Sequence, residues 1–134
     1  MDTIVIEVTT GGTAAAVDLT GRAAEFVAGR GDGLLSVFVP HATAGVAIFE
    51  TGAGSDIDLM EHLDTIFPRD DRWHHRHGSP GHGADHIVPA VIAPSVTVPV
   101  IDGALALGTW QSVVLVDPNR DNRHRSVRFS FLAG

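Results

Sequence analysis

The chain has 134 residues, a formal net charge of −7 and a hydrophobic fraction of 44%, which fit one globular domain over residues 1–134. This acidic balance argues against a nucleic-acid partner, because neutralising phosphates needs a basic surface. No apolar run reaches the roughly 20 residues of a membrane span. The first residues lack the features of a secretory signal, so we expect a cytoplasmic protein without a membrane partner. Lysine and cysteine are absent, which excludes Schiff-base and thiolate chemistry.

The first half of the chain mixes β-rich runs with two segments of helical spacing. Gly11 and Gly12 form a turn signal between the first two strands, and Ser55 is a good N-cap for the second helix. Asp56 and Asp58 follow it, where they favour the helix dipole. The pattern predicts strands at 3–8, 14–19, 34–39 and 46–49, and helices at 22–28 and 55–67.

The second half is β-rich after a polar segment. A helix is predicted at 84–92, although the internal Pro89 disfavours it. Further strands are predicted at 96–100, 104–107, 110–116 and 126–132. Because most strands follow one another directly, they favour antiparallel pairing. The sequence therefore predicts a β-rich α+β single domain, with mostly antiparallel sheet and two or three helices.

Histidines are concentrated in one short stretch. Five of the eight lie between residues 74 and 86, in a segment rich in Gly. Imidazole is the commonest metal ligand in proteins. His75 and His77 converge if the segment is extended, and His82 and His86 converge if it is helical. None of these spacings is a strict metal motif, so a solvated histidine-rich loop is an equally good interpretation.

Polar residues at strand ends supply other candidates. His41 follows a strand and Pro40, and it acts either as a ligand or acid–base group or as a hydrogen-bonded turn residue. Glu50 also follows a strand, where it either orients a histidine, binds metal or acts as a base, or simply ends the strand.

Two segments near the C-terminus carry groups suited to a ligand. Trp110 is suited to stacking on a heterocycle, although a place in the core or a subunit interface is favoured for it. Thr109 and Gln111 beside it are suited to polar ligand atoms. Arg125 lies in a basic turn, and a guanidinium there either binds phosphate or is solvated.

Several segments resemble one known family. The run from Ser95 to Val113, including Gly108-Thr109-Trp110-Gln111, resembles the signature of the YjbQ-like family, also called the secondary thiamine-phosphate synthase family. His41-Ala42-Thr43-Ala44-Gly45 resembles its His-Thr-Ser/Ala segment, and Asp85-His86-Ile87 its Ser/Ala-His-hydrophobic element. The family's Asn-Glu-Asn segment is represented here by Phe49-Glu50-Thr51, so only the glutamate matches.

The resemblance implies a YjbQ-like fold and a homotrimer. It also implies a weak thiamine-phosphate synthase activity, in which a thiazole nitrogen displaces pyrophosphate from a hydroxymethylpyrimidine diphosphate. The expected partner is therefore a small phosphorylated heterocycle. Two alternatives stay open: a metal-dependent hydrolase of a small phosphate or amide, and a trimeric metal- or ligand-binding protein without catalysis.

Combined with the residue patterns, the resemblance gives a specific set of site predictions. The cofactor is expected to be a divalent metal, zinc or magnesium, with no organic cofactor. One cavity is expected to gather histidines from before residue 45 and after residue 70. The predicted catalytic residues are His41, Glu50 and His86; the metal ligands are His75, His82 and His86, with His77 as the alternate; the ligand-binding residues are Thr109, Trp110, Gln111 and Arg125.

Overall fold

The computed structural model describes residues 1–134, which form two antiparallel sheets, three α-helices and one 3-10 turn. The larger sheet has the strand order β1-β8-β3-β5-β6 and the smaller one β2-β7-β4. The strands are β1 (Asp2–Thr9), β2 (Ala15–Asp18), β3 (Gly33–Phe38), β4 (Gly45–Phe49), β5 (Ser95–Ile101), β6 (Ala104–Leu105), β7 (Ser112–Asp117) and β8 (His124–Ala133). The helices are α1 (Thr20–Val27), α2 (Ser55–Ile66) and α3 (His82–Asp85), and the 3-10 turn is Val88–Ala90.

The main core lies between the larger sheet, the smaller sheet and α1. On β8, inward side chains alternate with outward ones, as the two-residue period of a strand requires, so Val127, Phe129 and Phe131 are all buried. Phe26 of α1 packs against Phe129, with 6.0 Å between ring centroids. These contacts explain the alternating apolar pattern of the sequence and confirm the predicted β-rich α+β fold.

A smaller core lies on the other face of the smaller sheet. Leu63 of α2 packs there against Val114 and Val116, while Val113 and Leu115 of the same strand face the main core. The central strand β7 is therefore covered on both faces, which is why its apolar run is continuous instead of alternating. The longest helix, α2, has 12 residues, and no helix is long and apolar enough to cross a bilayer.

Four local predictions were wrong, two for helices and two for strands. The helix expected at 84–92 is split into α3 and the 3-10 turn, because Pro89 has no N–H to continue an α-helix. Ser55 is the first residue of α2, and Gly54 takes the N-cap position with φ 105° and no side-chain cap.

The strand expected from residue 110 begins instead at Ser112, because residues 108–111 form a turn. In that turn the Gly108 N–H donates to Gln111 Oε1 at 2.8 Å, and the Gln111 N–H donates to the Gly108 carbonyl at 3.0 Å. The preceding strand is correspondingly shorter than expected, with only Ala104–Leu105 paired to β5.

Candidate metal centre

The histidine-rich segment between α2 and α3 is fixed by a few buried polar contacts. Arg69 and Asp85 form an ion pair whose side chains are 11% and 2% exposed. Asn119, in the turn after β7, donates from Nδ2 to Asp85 Oδ2 at 3.1 Å. Trp73 donates from its indole N–H to the Pro68 carbonyl at 2.8 Å. Burial raises the pKa of Asp85, and the Arg69 guanidinium partly offsets that effect.

Three of the histidines that the sequence singled out converge. One ring nitrogen from each of His75, His82 and His86 lies within 4.8 Å of the other two. The Nε2 atoms of His82 and His86 are 2.9 Å apart, and His75 Nε2 is buried without a hydrogen-bond partner. His77 lies outside this set, although its ring centroid is 4.0 Å from that of His75. We call His75, His82 and His86 the histidine triad.

The electrostatic surroundings of the triad favour neutral imidazoles. Burial, together with the neighbouring imidazoles, lowers the pKa of both His75 and His86 below the ordinary value for histidine. A neutral imidazole keeps the lone pair that a metal needs. Buried polar atoms are rarely left unpaired, so the lone His75 Nε2 suits a ligand more than a structural role.

Beside the triad lies a cavity of about 210 Å³. Its wall includes His75, His77 and His82, together with Arg76 and Ser79. Arg76 donates from Nε to the Trp73 carbonyl at 3.1 Å and from Nη2 to the Asp71 carbonyl at 3.2 Å, which holds the guanidinium at the cavity wall. The cavity is polar and sits next to the three converging nitrogens, so it has room for the polar end of a small ligand.

The two residues that contact His82 Nδ1 were not among the site residues predicted from the sequence. His82 Nδ1 lies 3.1 Å from Asn119 Nδ2 and 2.9 Å from Asp121 Oδ2. Both residues belong to the turn between β7 and β8. The available signal was the polar run from Asp117 to Arg125, but nothing local indicates that this turn meets a segment about 40 residues earlier.

His41 lies apart from the triad. Its Nε2 accepts a hydrogen bond from the Ser126 N–H at 2.9 Å. By strand register Ser126 stands opposite Pro40, just beyond the end of β3, so the imidazole satisfies an N–H that the strand leaves open. His41 is absent from the wall of the histidine-lined cavity. No cavity of the chain is lined by both His41 and His86, so the cavity expected to hold both is not formed within one chain.

Arg125 faces the core instead of a ligand. It is only 2% exposed, donating from Nε to Asp117 Oδ2 at 2.7 Å and from Nη2 to Asp117 Oδ1 at 2.8 Å. Its Nη2 also donates to Thr43 Oγ1 at 3.0 Å. The expected phosphate contact is therefore corrected to a buried ion pair. Arg125 is the second residue of β8 and shares its inward face with Val127, whereas the sequence placed it in a solvated turn.

Comparison with known proteins agrees with the sequence resemblance. A family model described as UPF0047 protein YjbQ-like matches residues 4–134. The UPF0047 protein Rv2556c of Mycobacterium tuberculosis is 61% identical over 134 residues, which cover 100% of both chains. The UPF0047 protein YugU of Bacillus subtilis is 33% identical over 104 residues, which cover 72% of this chain and 74% of YugU. The chain belongs to the YjbQ-like UPF0047 family.

Solved structures show the same fold. The hypothetical protein APE1520 of Aeropyrum pernix K1 superposes with a TM-score of 0.88 at 31% identity, covering 100% of both chains. A YjbQ/UPF0047 family protein of Clostridium acetobutylicum superposes with a TM-score of 0.87 at 27% identity, covering 96% of this chain and 99% of that one. The YjbQ-like fold expected from the sequence is thereby confirmed.

The remaining predicted site residues of this family member lie at the other end of β7. Phe49 pairs with Ser112, so Glu50 lies beside the start of β7, whereas Asn119 follows its end. The six residues of β7 separate these two ends by roughly 16 Å, at about 3.3 Å per residue. Thr109, Trp110 and Gln111 form the exposed turn at the Glu50 end, with Trp110 73% exposed. Trp110 is therefore not a core residue, and the chain does not join this group to the triad.

Proposed function

We propose that this YjbQ-like chain is a metal-dependent enzyme whose centre is the histidine triad. The observations that carry the proposal are the convergence of one ring nitrogen from each of the three histidines within 4.8 Å and the buried, unpartnered Nε2 of His75. Three protein ligands with one open position are typical of catalytic zinc sites. The polar cavity beside the triad supports a substrate in that open position.

Zinc fits the donor set better than magnesium does. All three donors are imidazole nitrogens, which suit zinc and similar transition metals. Magnesium prefers six oxygen ligands in octahedral geometry, and the triad offers none. The sequence analysis allowed zinc or magnesium. From the donor set we propose a transition metal, with zinc as the first candidate.

The proposed reaction is of the thiamine-phosphate synthase type that the family resemblance implies. The thiazole nitrogen forms a bond to the methylene carbon of the pyrimidine diphosphate, and the carbon–oxygen bond breaks with its electron pair leaving on pyrophosphate. A metal ion stabilises such developing phosphate charge. Arg76, whose Nε and Nη2 are held by backbone carbonyls, adds a positive charge at the cavity wall. The expected substrates are thus small phosphorylated heterocycles.

Two measurements test this proposal. Elemental analysis of the purified chain is expected to give about one zinc per chain, since the triad is a single site. Product formation from both heterocyclic substrates is then expected to fall at least about 100-fold on chelation, and equally in His75→Ala. His74→Ala is the matched control, because His74 is exposed and lies outside the triad. Turnover that is indifferent to chelation and to His75→Ala would remove the triad from the reaction.

A metal-dependent hydrolase is the second candidate. The observation in its favour is that the triad supplies three protein ligands, so a tetrahedral metal held by them would keep its fourth position for water. His77 lies beside the triad but outside it. Zinc lowers the pKa of a bound water to about 7 and so generates a nucleophile. A panel of small phosphoesters and amides, assayed with added zinc, separates this candidate from the transferase. Zinc binding with no turnover of either substrate class would favour the non-catalytic binding protein.

The homotrimer is part of the same proposal. The outward face of the larger sheet exposes a group of apolar side chains: Val5, Leu34, Phe38 and Leu132. Leu34 and Leu132 stand directly opposite each other on β3 and β8. Exposed apolar patches of this kind are typical of surfaces that contact another protein. The cytoplasmic location and the absence of a nucleic-acid partner stay predictions from composition.

A further inference from the structure

We infer that Asp121 is the positioning residue that holds His82 in the tautomer able to bind metal. The inference rests on the proposed function, because it concerns the same triad, and it names a residue that neither the sequence motifs nor the family match singles out. It starts from the two nitrogens of His82, each of which has a defined neighbour.

His82 Nδ1 has one donor and one acceptor beside it, so each neutral tautomer of the ring finds a partner there. Asn119 Nδ2, an amide donor, lies 3.1 Å from His82 Nδ1, which accepts from it in one of the two tautomers. A neutral imidazole that accepts at Nδ1 carries its proton on Nε2. His82 Nε2 then donates to His86 Nε2 at 2.9 Å. In that tautomer a proton lies between His82 Nε2 and His86 Nε2, where it blocks a lone pair of each ring.

Metal binding requires the opposite tautomer of His82. Coordination through Nε2 needs the Nε2 lone pair, so the proton of the neutral ring has to reside on Nδ1. The Nδ1–H then faces the Asn119 N–H, and two donors repel each other. An acceptor within hydrogen-bond distance of Nδ1 is needed, and metal-ligating histidines almost always have one, commonly a carboxylate.

Asn119 cannot supply that acceptor by rotating its amide. Its Oδ1 accepts two backbone N–H groups, from Asp121 and Asn122, each at 3.0 Å. Its Nδ2 keeps a second acceptor, Asp85 Oδ2 at 3.1 Å, so Asn119 stays satisfied when His82 Nδ1 becomes a donor. The orientation of Asn119 is thus independent of the His82 tautomer.

Of the two nearby carboxylates, only that of Asp121 is close enough. Asp121 Oδ2 lies 2.9 Å from His82 Nδ1, whereas Asp85 Oδ2 lies 3.8 Å away and belongs to a carboxylate already paired with Arg69. Asp121 Oδ2 is itself held by the Ser79 N–H at 3.1 Å. The carboxylate is therefore in place beside His82 before the imidazole changes tautomer.

Gly78 makes this approach sterically feasible. A Cβ atom at residue 78 would lie 2.8 Å from Asp121 Oδ2 and 2.9 Å from His82 Cγ, and the backbone there has φ +80°. Both the contact distance and the positive φ favour glycine at this position. The loop, the Asp121 carboxylate and the His82 ring consequently pack as one unit beside the triad.

The test is a zinc titration of the full chain with a competing chelator. Asp121→Asn is expected to weaken zinc binding by about 10- to 100-fold, the usual effect of removing a carboxylate partner from a ligating histidine. Asp71→Asn is the matched control: it removes the same charge from the wall of the cavity beside the triad, where the Asp71 side chain makes no ion pair with His82, and it is expected to bind zinc as the wild type does. Asp121→Glu, which restores a carboxylate, is expected to recover at least part of the affinity.

A second measurement determines which ring nitrogen of His82 carries the proton. Long-range ¹H–¹⁵N NMR spectra of the ring nitrogens are expected to place the His82 proton on Nδ1 in the zinc-bound protein. Wild-type protein that binds no zinc would overturn the proposed centre. Zinc binding that is equally strong in Asp121→Asn and Asp71→Asn, or a zinc-bound protein whose His82 proton lies on Nε2, would overturn the role of Asp121 alone.

Discussion

Individual side chains in this molecule take roles that their sequence neighbourhood does not reveal. His41 and Arg125 both occupy positions suited to a ligand in the sequence, yet each satisfies an internal partner: Ser126 N–H for His41, and the Asp117 carboxylate for Arg125. The two are electrostatically linked, since burial and, to a smaller extent, the Arg125 charge lower the pKa of His41. Within one chain both side chains therefore make internal contacts that stabilise the fold.

The depressed pKa of His41 predicts a pH-dependent stability. The unfolded chain binds the proton of this histidine near the ordinary value of about 6.5, and the folded chain binds it only at lower pH. The free energy of unfolding is thus unaffected above about pH 7 and falls as the pH drops through 6.5. His41→Gln, which keeps an acceptor for Ser126 N–H but does not titrate, is expected to show a shallower fall between pH 7.5 and 5.5 in urea unfolding.

The comparison with wild type removes the contribution of the other histidines, because those are present in both proteins. His124→Gln serves as the control, since His124 is exposed and lies outside the triad. An identical pH dependence in wild type and His41→Gln would show that His41 does not carry this effect.

Among the secondary-structure elements, the long strands were predictable from the sequence, whereas the segment from α2 to the 3-10 turn was not. Strands such as β3 and β8 have clear apolar periodicity, so their existence was predictable from local pattern. Residues 67–92 lack such a pattern, and their shape depends on the Arg69–Asp85 ion pair and the contact with Asn119. Those partners are distant in sequence, which local reasoning does not resolve.

Close backbone packing in this segment gives a prediction of its own. A Cβ atom on Gly83 would overlap the His75 carbonyl oxygen and lie 2.7 Å from Trp73 Cβ. Gly83→Ala is therefore expected to lower the free energy of unfolding by about 1–3 kcal/mol, the usual cost of overpacking. It is also expected to weaken zinc binding, because His75 has to move.

Gly21→Ala is the matched control for this substitution. Gly21 lies in α1, where an added Cβ would have no other atom within 4 Å, so alanine there is expected to stabilise the chain by about 0.5–1 kcal/mol. Chemical denaturation measures whether the free energy of unfolding falls in Gly83→Ala and rises in Gly21→Ala. A Gly83→Ala variant as stable as wild type would mean that the segment is not tightly packed against His75 and Trp73.

For the whole molecule, the sequence predicted the class of fold but not the order of its strands. The pairing of β1 with β8 joins Asp2 to Phe131, and no local pattern specifies a contact across nearly the whole chain. Other long-range contacts decide the site. Asn119 and Asp121, in the turn after β7, contact the histidine segment, whereas Glu50 and Trp110 lie at the far end of that strand. Residues that the sequence analysis assigned to one site thus separate into two regions in one chain.

The proposed homotrimer bears on whether the two regions, which are separate in one chain, belong to one site in the assembly. Its formation is testable on the larger sheet. Leu34 and Leu132 are 46% and 56% exposed and face each other on the outward side of β3 and β8. Replacing both with serine removes apolar area that an interface would bury, at about 25 cal/mol per Å². We expect light scattering after size exclusion to give three times the chain mass for wild type and a shift to monomer for the double variant.

Ile57→Ser on α2, also exposed, is the control and should stay trimeric. A monomeric wild type would rule out the trimer, and an unchanged trimer in the double variant would place its interface elsewhere.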